Sequence, residues 1–290
     1  MRWNFGSVYK EIRKGKNISQ NDICKENISR TTLSKLENSK IMPSYQTMDF
    51  LLKQINMSFD EFTYVCKSFE IDQREQIIQS FYKLSANTNI STLAELKSKC
   101  ILYLKTNEDL FIEDILSILD SQLKLVDDNI YKISCLSKIY VNSVWQKIEK
   151  ANTWYYSELR LLNCILYFLP LETVRKITPK IIESMKKYED YKKSEPFYIS
   201  LLLNTGTIYF MNNMVTDAEV LVNKALPLIY SSKRYDFLGI AEVRLGIYSK
   251  DITRIKKGIS FLKFAGEDSI VTELLEEVAF AEIKLSDSIT

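Results

Sequence analysis

The sequence predicts an all-α protein, and three observations carry that. Seven Gly and five Pro among 290 residues make about 4% of the chain, against about 12% in an average protein. No glycine occurs between Gly15 and Gly206, whereas a β-rich chain needs turn residues roughly every 8–12 positions. Apolar residues recur instead at helical spacing. With 46% apolar and 26% charged residues the composition is globular with ample core, enough for one large domain or two modest ones.

The elements follow in order. Phe5, Val8, Tyr9 and Ile12 mark one face of a first helix ending near Gly15, spaced three and four apart as a buried stripe requires. Ser19 caps a short second helix, with Asp22 three residues on and Ile23 and Cys24 inward; a capping hydroxyl and an acid at this spacing satisfy the first free N–H groups. Ser29 caps a third, Ser29 to Glu37, whose Leu33 and Leu36 point inward and whose Arg30, Thr31, Ser34 and Lys35 point outward. Pro43-Ser44 starts a fourth over Met48, Leu51, Leu52 and Ile55, and Met57-Ser58 a fifth through Phe59, Phe62 and Val65. A capped helix pair split by a tight turn describes a helix-turn-helix domain, its third helix dimensioned for the major groove. Charge agrees: residues 1–40 hold nine Lys/Arg against four Asp/Glu, a net of +5 that leaves −3 for the rest of a chain with formal net +2. A basic head on a near-neutral body suits a polyanion.

The motifs Ile18-Ser19-Gln20, Ser29-Arg30-x-x-Leu33-Ser34-x-x-Glu37, Pro43-Ser44 and Met57-Ser58-Phe59 resemble the Xre-type, phage-repressor-like DNA-binding domain. Ile28 to Lys35, followed by Pro43-Ser44-Tyr45-x-Thr47-Met48, resembles more narrowly the Rgg/MutR/GadR transcriptional regulators, over about the first 68 residues. That resemblance implies roles for a DNA-binding set of Gln20, Ser29, Arg30, Thr31, Thr32, Ser34, Lys35 and Ser44. Gln20 matches a phosphate-bonding position, Arg30, Thr31 and Lys35 the base-reading face, and Thr32 and Ser44 phosphate-facing hydroxyls. Arg13 and Glu37 match a partly buried ion pair between the first and third helices. Arg30 at a helix start suits the fork of guanine O6 and N7. Thr31 and Thr32 are also explained as helix-start residues without a DNA contact.

After a linker helix at 67–74, residues 75–290 read as a helical repeat. Gly206, Ala218 and Ala225 are spaced 12 then 7 apart, and Gly246, Gly258 and Ala265 repeat that spacing forty residues later. Small residues at such places let antiparallel helices approach and stack, as in tetratricopeptide-like solenoids. A fainter copy is Leu162 to Phe168 with Pro170 after it. The resemblance implies a right-handed solenoid that dimerises and binds a short hydrophobic signalling peptide, as a quorum-sensing receptor does. Seventeen Tyr and fourteen Phe suit such a ligand. Asn163 and Asn204 fall on inner-helix positions where amides can bond a peptide backbone, and Arg160 and Arg244 can pair with a carboxylate. The same four are also readable as ordinary surface or core-capping groups, and Tyr167, Tyr209 and Tyr248 as repeat core.

Other chemistry is excluded. Histidine is absent, so there is no His-based triad or metal site, and the glycines never cluster into a phosphate loop. Cys24, Cys66, Cys100, Cys135 and Cys164 form no C-x-x-C pair and read as buried, reduced thiols of a cytoplasmic protein. The five Ser-x-x-Lys spacings are scattered, and acid pairs such as Glu276-Glu277 are adjacent, which splays them on a helix. No cofactor, metal or enzymatic activity is expected. Met1 to Lys16 lacks the apolar stretch of a signal peptide. Pro196 to Thr216 is uncharged over 21 residues but carries Asn204, Thr205, Thr207, Asn212 and Asn213, so it reads as a buried core helix rather than a membrane span.

The sequence therefore predicts a homodimeric helix-turn-helix regulator, head 1–66, on a double-stranded inverted-repeat operator. Two alternatives stay open: a repeat domain that binds a protein instead of a peptide, and a scaffold whose head no longer binds DNA.

Overall fold

The computed structural model describes residues 4–24, 28–84, 90–127, 141–191 and 194–283, and among these every regular element is helical. Cys135 lies outside the described residues. The chain divides into two compact units, Met1–Ser80 and Phe81–Thr290.

The first unit carries α1 (Phe5–Gly15), α2 (Gln20–Ile23), α3 (Arg30–Glu37), α4 (Tyr45–Gln54), α5 (Phe59–Cys66) and most of α6 (Gln73–Tyr82). Four serines start four of these helices. The hydroxyls of Ser19, Ser29, Ser44 and Ser58 accept the N–H of Asp22, Thr32, Thr47 and Glu61 at 3.1–3.2 Å, each cap contributing about 1 kcal/mol. Asp22 returns a bond from the Ser19 N–H at 2.8 Å; that reciprocal box holds a helix only four residues long. Tyr9, Ile23, Leu33, Leu36, Met48, Leu51, Leu52, Ile55 and Phe62 form the core, with Phe5, Val8, Ile12 and Phe59 packed against it. The stripe expected from the periodicity is the stripe that is buried. At Gly6 an added Cβ would lie 1.8 Å from the Leu36 carbonyl oxygen, so only glycine lets the start of α1 lie on the end of α3.

The helix expected at 67–74 begins instead at Gln73. Ser68 and Phe69 both sit at left-handed φ, 57° and 63°, and consecutive left-handed residues cannot continue a right-handed helix. The turn is closed by the Lys67–Asp72 ion pair, and Asp72 accepts the Glu75 N–H at 2.8 Å to start α6.

The second unit carries α7 (Ile90–Leu104), α8 (Leu110–Asp127), α9 (Asn142–Lys150), α10 (Tyr156–Ile165), a 3-10 turn Leu166–Phe168, and α11 (Leu171–Lys186). It continues with α12 (Glu195–Met211), α13 (Val215–Ser232), α14 (Tyr235–Ser249), α15 (Ile252–Phe264) and α16 (Asp268–Phe280). Within it α7 packs on α8, α12 on α13 and α14 on α15, while α10, α12, α14 and α16 also meet in succession as an inner row. α12 and α14 are buried on nearly all sides. Pro196 opens α12 in its first turn, and no described helix is long and apolar enough to cross a membrane.

The small repeat residues lie where helices touch. A Cβ on Gly246 would meet Ile255 N at 2.8 Å and Asp251 O at 3.0 Å, and Gly206 faces the Ala218 carbonyl. Gly258 abuts Gly239 and Val243, and Ala218 and Ala225 are fully buried. Ala265 differs: it follows the end of α15 and is exposed, so the second copy keeps the spacing of the first without the role of its last member.

Candidate functional site

The outward face of α3 is built by what holds its inward face. Arg13 on α1 forks onto Glu37 at the end of α3, Nε to Oε1 at 2.6 Å and Nη2 to Oε2 at 2.9 Å, and its third contact reaches the Ile18 carbonyl. The side chains are 7% and 0% exposed, more deeply buried than expected. Burial pushes the Glu37 carboxyl up, but hydrogen bonds from Arg13 and Gln20 and the Arg13 charge outweigh it, and the net shift is below the ordinary carboxylate range. A buried charge is tolerated only with partners of this kind. The pair, with the Leu33 and Leu36 contacts, fixes the rotation of α3. Arg30, Thr31, Thr32 and Lys35 are thereby exposed, with Ser34 half-buried. Among the described residues no hydrogen bond or ion pair engages the side chains of Arg30, Thr31 or Lys35.

The other candidates of the head have structural bonds. Ser29 and Thr32 join hydroxyls at 2.9 Å, as do Ser44 and Thr47. Gln20 donates Nε2–H to Glu37 Oε2 at 2.8 Å, which leaves its second amide N–H for another acceptor. Sequence reasoning missed this bond because a glutamine at a helix start reads as a surface group. It also passed over Tyr45, 73% exposed at the start of α4 and stacked on Phe59 at 4.9 Å.

In the second unit the predicted inner-row residues bind one another. Asn204 donates to Asn163 Oδ1 at 3.1 Å, Asn163 reaches the Ser200 hydroxyl at 3.5 Å, and the Tyr167 hydroxyl reaches Asn204 Oδ1 at 3.5 Å. Arg244 forks onto Glu277 of α16 at 2.7 and 3.0 Å and donates to the Leu203 carbonyl of α12 at 3.2 Å, so one guanidinium ties three inner helices. Burial works against its charge, and Glu277 more than offsets this. Glu277 carried no signal of its own in the sequence, lying 33 positions from its partner. Arg160 is the exception: its guanidinium lies over the Tyr82 ring, and its Nε is buried without an acceptor among the described residues.

The three repeat tyrosines are not equivalent. Tyr209 donates to Thr178 of α11 at 2.9 Å, Tyr248 packs on Phe210 at 5.1 Å, and Tyr167 faces Asn204. Burial pushes the Tyr167 hydroxyl up to about 12. A separate open depression of about 470 Å³, lined by Glu172, Arg175, Lys176, Tyr209, Met214 and Asp217, contains none of the four peptide candidates. Burial raises the Cys66 and Cys100 thiols to about 11 and Cys164 to about 12, so none of these three is a thiolate near neutrality. No group of described residues could hold a metal ion.

Short capped helices presenting a free basic recognition helix, joined to a helical repeat, define the class of helix-turn-helix transcription regulators. Comparison with known proteins narrows it. The Rgg transcriptional regulator C-terminal domain matches residues 104–275, and a helix-turn-helix family matches residues 10–62. The chain belongs to the Rgg family of transcriptional regulators, and not to a family of enzymes. No curated protein matches it. Solved structures of similar fold include a transcriptional regulator from Listeria monocytogenes EGD-e (TM-score 0.78, 19% identical, covering 98% of this chain and 100% of that one). The SHP pheromone receptor Rgg2 of Streptococcus dysgalactiae follows at TM-score 0.70 and 18% identity, covering 94% of this chain and 98% of that one. ComR from S. thermophilus, solved with DNA and its signalling peptide ComS, has TM-score 0.61 and 12% identity, covering 96% and 99%.

Proposed function

We propose that this regulator is a cytoplasmic, peptide-responsive homodimer whose residues 1–66 read an inverted-repeat operator and whose residues 75–290 bind a short hydrophobic peptide and dimerise. The observation that carries the DNA half is the exposed face of α3, where Arg30, Thr31 and Lys35 have no partner side chain among the described residues while the opposite face is locked by Arg13–Glu37. Arg30 reads a base edge. Thr31 and Lys35 stand with it on the base-reading face, and the Thr32 and Ser44 hydroxyls meet the backbone with Gln20, whose second amide N–H points a donor at phosphate while the first holds Glu37. Ser29 keeps the start of α3 in place, and Ser34 lets the helix sit close to the groove.

The peptide half is supported by the inner row, where Asn163 and Asn204 offer amides and Arg160 offers an unsatisfied guanidinium edge, and by the pheromone and signalling peptide named for Rgg2 and ComR. Arg244 contributes by holding α12, α14 and α16 in register. A bound peptide changes DNA binding only by its differential affinity for two arrangements of the dimer.

The test is a fluorescence-anisotropy titration on the chain's own upstream intergenic DNA at two salt concentrations, with and without short apolar peptides encoded nearby. Salt-sensitive binding that one peptide alters is the expected result. Binding indifferent to every peptide transfers the repeat domain to a protein partner, and absence of DNA binding leaves a scaffold.

A further inference from the structure

Arg160 on α10 is half-buried and stands apart from the two buried arginines, Arg13 and Arg244. Its Cζ lies 3.2 Å from the centre of the Tyr82 ring, with the Tyr156 ring at 5.8 Å. Tyr156 is itself fixed among Tyr188, Tyr191 and Phe197, with ring centres 5.2–5.4 Å away. Where Arg13 and Arg244 each fork onto a carboxylate of this chain, Arg160 has an aromatic face instead, and its Nε is buried without an acceptor among the described residues. The geometry of a guanidinium makes that difference informative. Cation–π attraction acts along the normal to the plane, whereas all five N–H donors lie within the plane. A ring below the plane therefore fixes the orientation of the fork and leaves its edge to a planar oxyanion. Asn163, three residues on and hence on the same face of α10, is bonded to Asn204, so the amide pair and the guanidinium follow one another along that face.

We infer that Tyr82 is a positioning residue of the peptide site: it holds the Arg160 fork ready for the C-terminal carboxylate of the bound peptide. The inference rests on the peptide reading above and names both an anchor group on the ligand and a second residue that sets its strength. Tyr82 is also the last residue of α6. A carboxylate that orders Arg160 tightens the stack on Tyr82 and so the last turn of that helix, and the coupling is reciprocal.

The experiment uses the full chain and two probes. One is a pool of N-acetylated octapeptides randomised over Leu, Ile, Val, Phe and Gly with a free C-terminal carboxylate. The other is the same pool with a C-terminal amide. The wild-type chain is expected to prefer the acid pool by on the order of tenfold or more, as charge-assisted hydrogen bonds give. The acid pool alone is expected to slow amide exchange in the last turn of α6. Tyr82→Leu loses most of the preference, Tyr82→Phe keeps it, and Arg160→Lys, which retains charge without the planar fork, loses it. Retention of the preference in Tyr82→Leu, or equal protection of α6 by both pools, overturns the positioning role. Equal binding of both pools by the wild type overturns the carboxylate anchor and leaves the peptide reading standing. Binding of neither pool overturns both. The exchange measurement on the wild type needs no variant to fold.

Discussion

Arg13 in the first unit and Arg244 in the second are both buried arginines forked onto a carboxylate, yet their surroundings differ. Arg13–Glu37 joins helices whose remaining charged groups face outward, so one buried pair leaves a whole row of side chains on α3 available for a partner. Arg244–Glu277 belongs to a row in which Asn163, Asn204 and Tyr167 are also bonded to one another, so the polar groups of the inner helices hold the scaffold first. A buried polar network rigidifies when every member has a partner. Among the described residues of that row the Arg160 Nε and the Tyr248 hydroxyl are buried without a partner, and of the two Arg160 carries the charge.

The comparison breaks if the two pairs prove equally dispensable. Glu37→Ala leaves Arg13 buried and unpaired and is expected to destabilise the head by about 3–5 kcal/mol, read as an early transition in thermal unfolding with the repeat domain still folded. The pair also predicts a pH dependence. The folded Glu37 carboxyl lies below its ordinary value, so its contribution is in place above the unfolded carboxylate pKa and is lost as pH falls through the lower, folded one, below about pH 4. Glu37→Gln should flatten that part of the acid limb. Arg244→Ala is expected to destabilise the second unit by about 2–4 kcal/mol, somewhat less because its pair keeps some contact with water; a transition in the head instead would contradict the assignment.

Packing sharpens the contrast at lower cost. Gly246→Ala forces a Cβ onto the backbone of α15 and should cost about 1–3 kcal/mol, measured as a shift in the repeat-domain midpoint. Ser29→Ala removes one cap, about 1 kcal/mol, and should lower operator affinity modestly through fraying of the first turn of α3.

The head was the more legible region because its signals are local. Ser19, Ser29, Ser44 and Ser58 each lie three residues before the N–H they cap, and the inward residues of each helix lie three or four apart. The Arg13–Glu37 pair was visible only through the family resemblance, since nothing in local spacing joins positions 24 apart. The turn after α5 is not legible in the sequence, because Ser68 and Phe69 do not announce left-handed backbone as glycine would. In the repeat, the contacts at Gly206, Ala218, Gly246 and Gly258 followed from small residues at a fixed offset. The partners of Arg244 and Arg160 did not. Glu277 and Tyr82 lie in helices 33 and 78 positions away, beyond the reach of any local spacing signal.

The central claim is that α3 reads sequence while the rest of the head presents it. Its most direct test is a titration of wild type and Arg30→Ala on the operator and on a scrambled duplex of equal length at one salt concentration. The account predicts a loss of about 1–3 kcal/mol, roughly fivefold to 150-fold, on the operator, and a much smaller loss on the scrambled duplex, where phosphate contacts dominate. Unchanged operator affinity, or an equal loss on both duplexes, would contradict it.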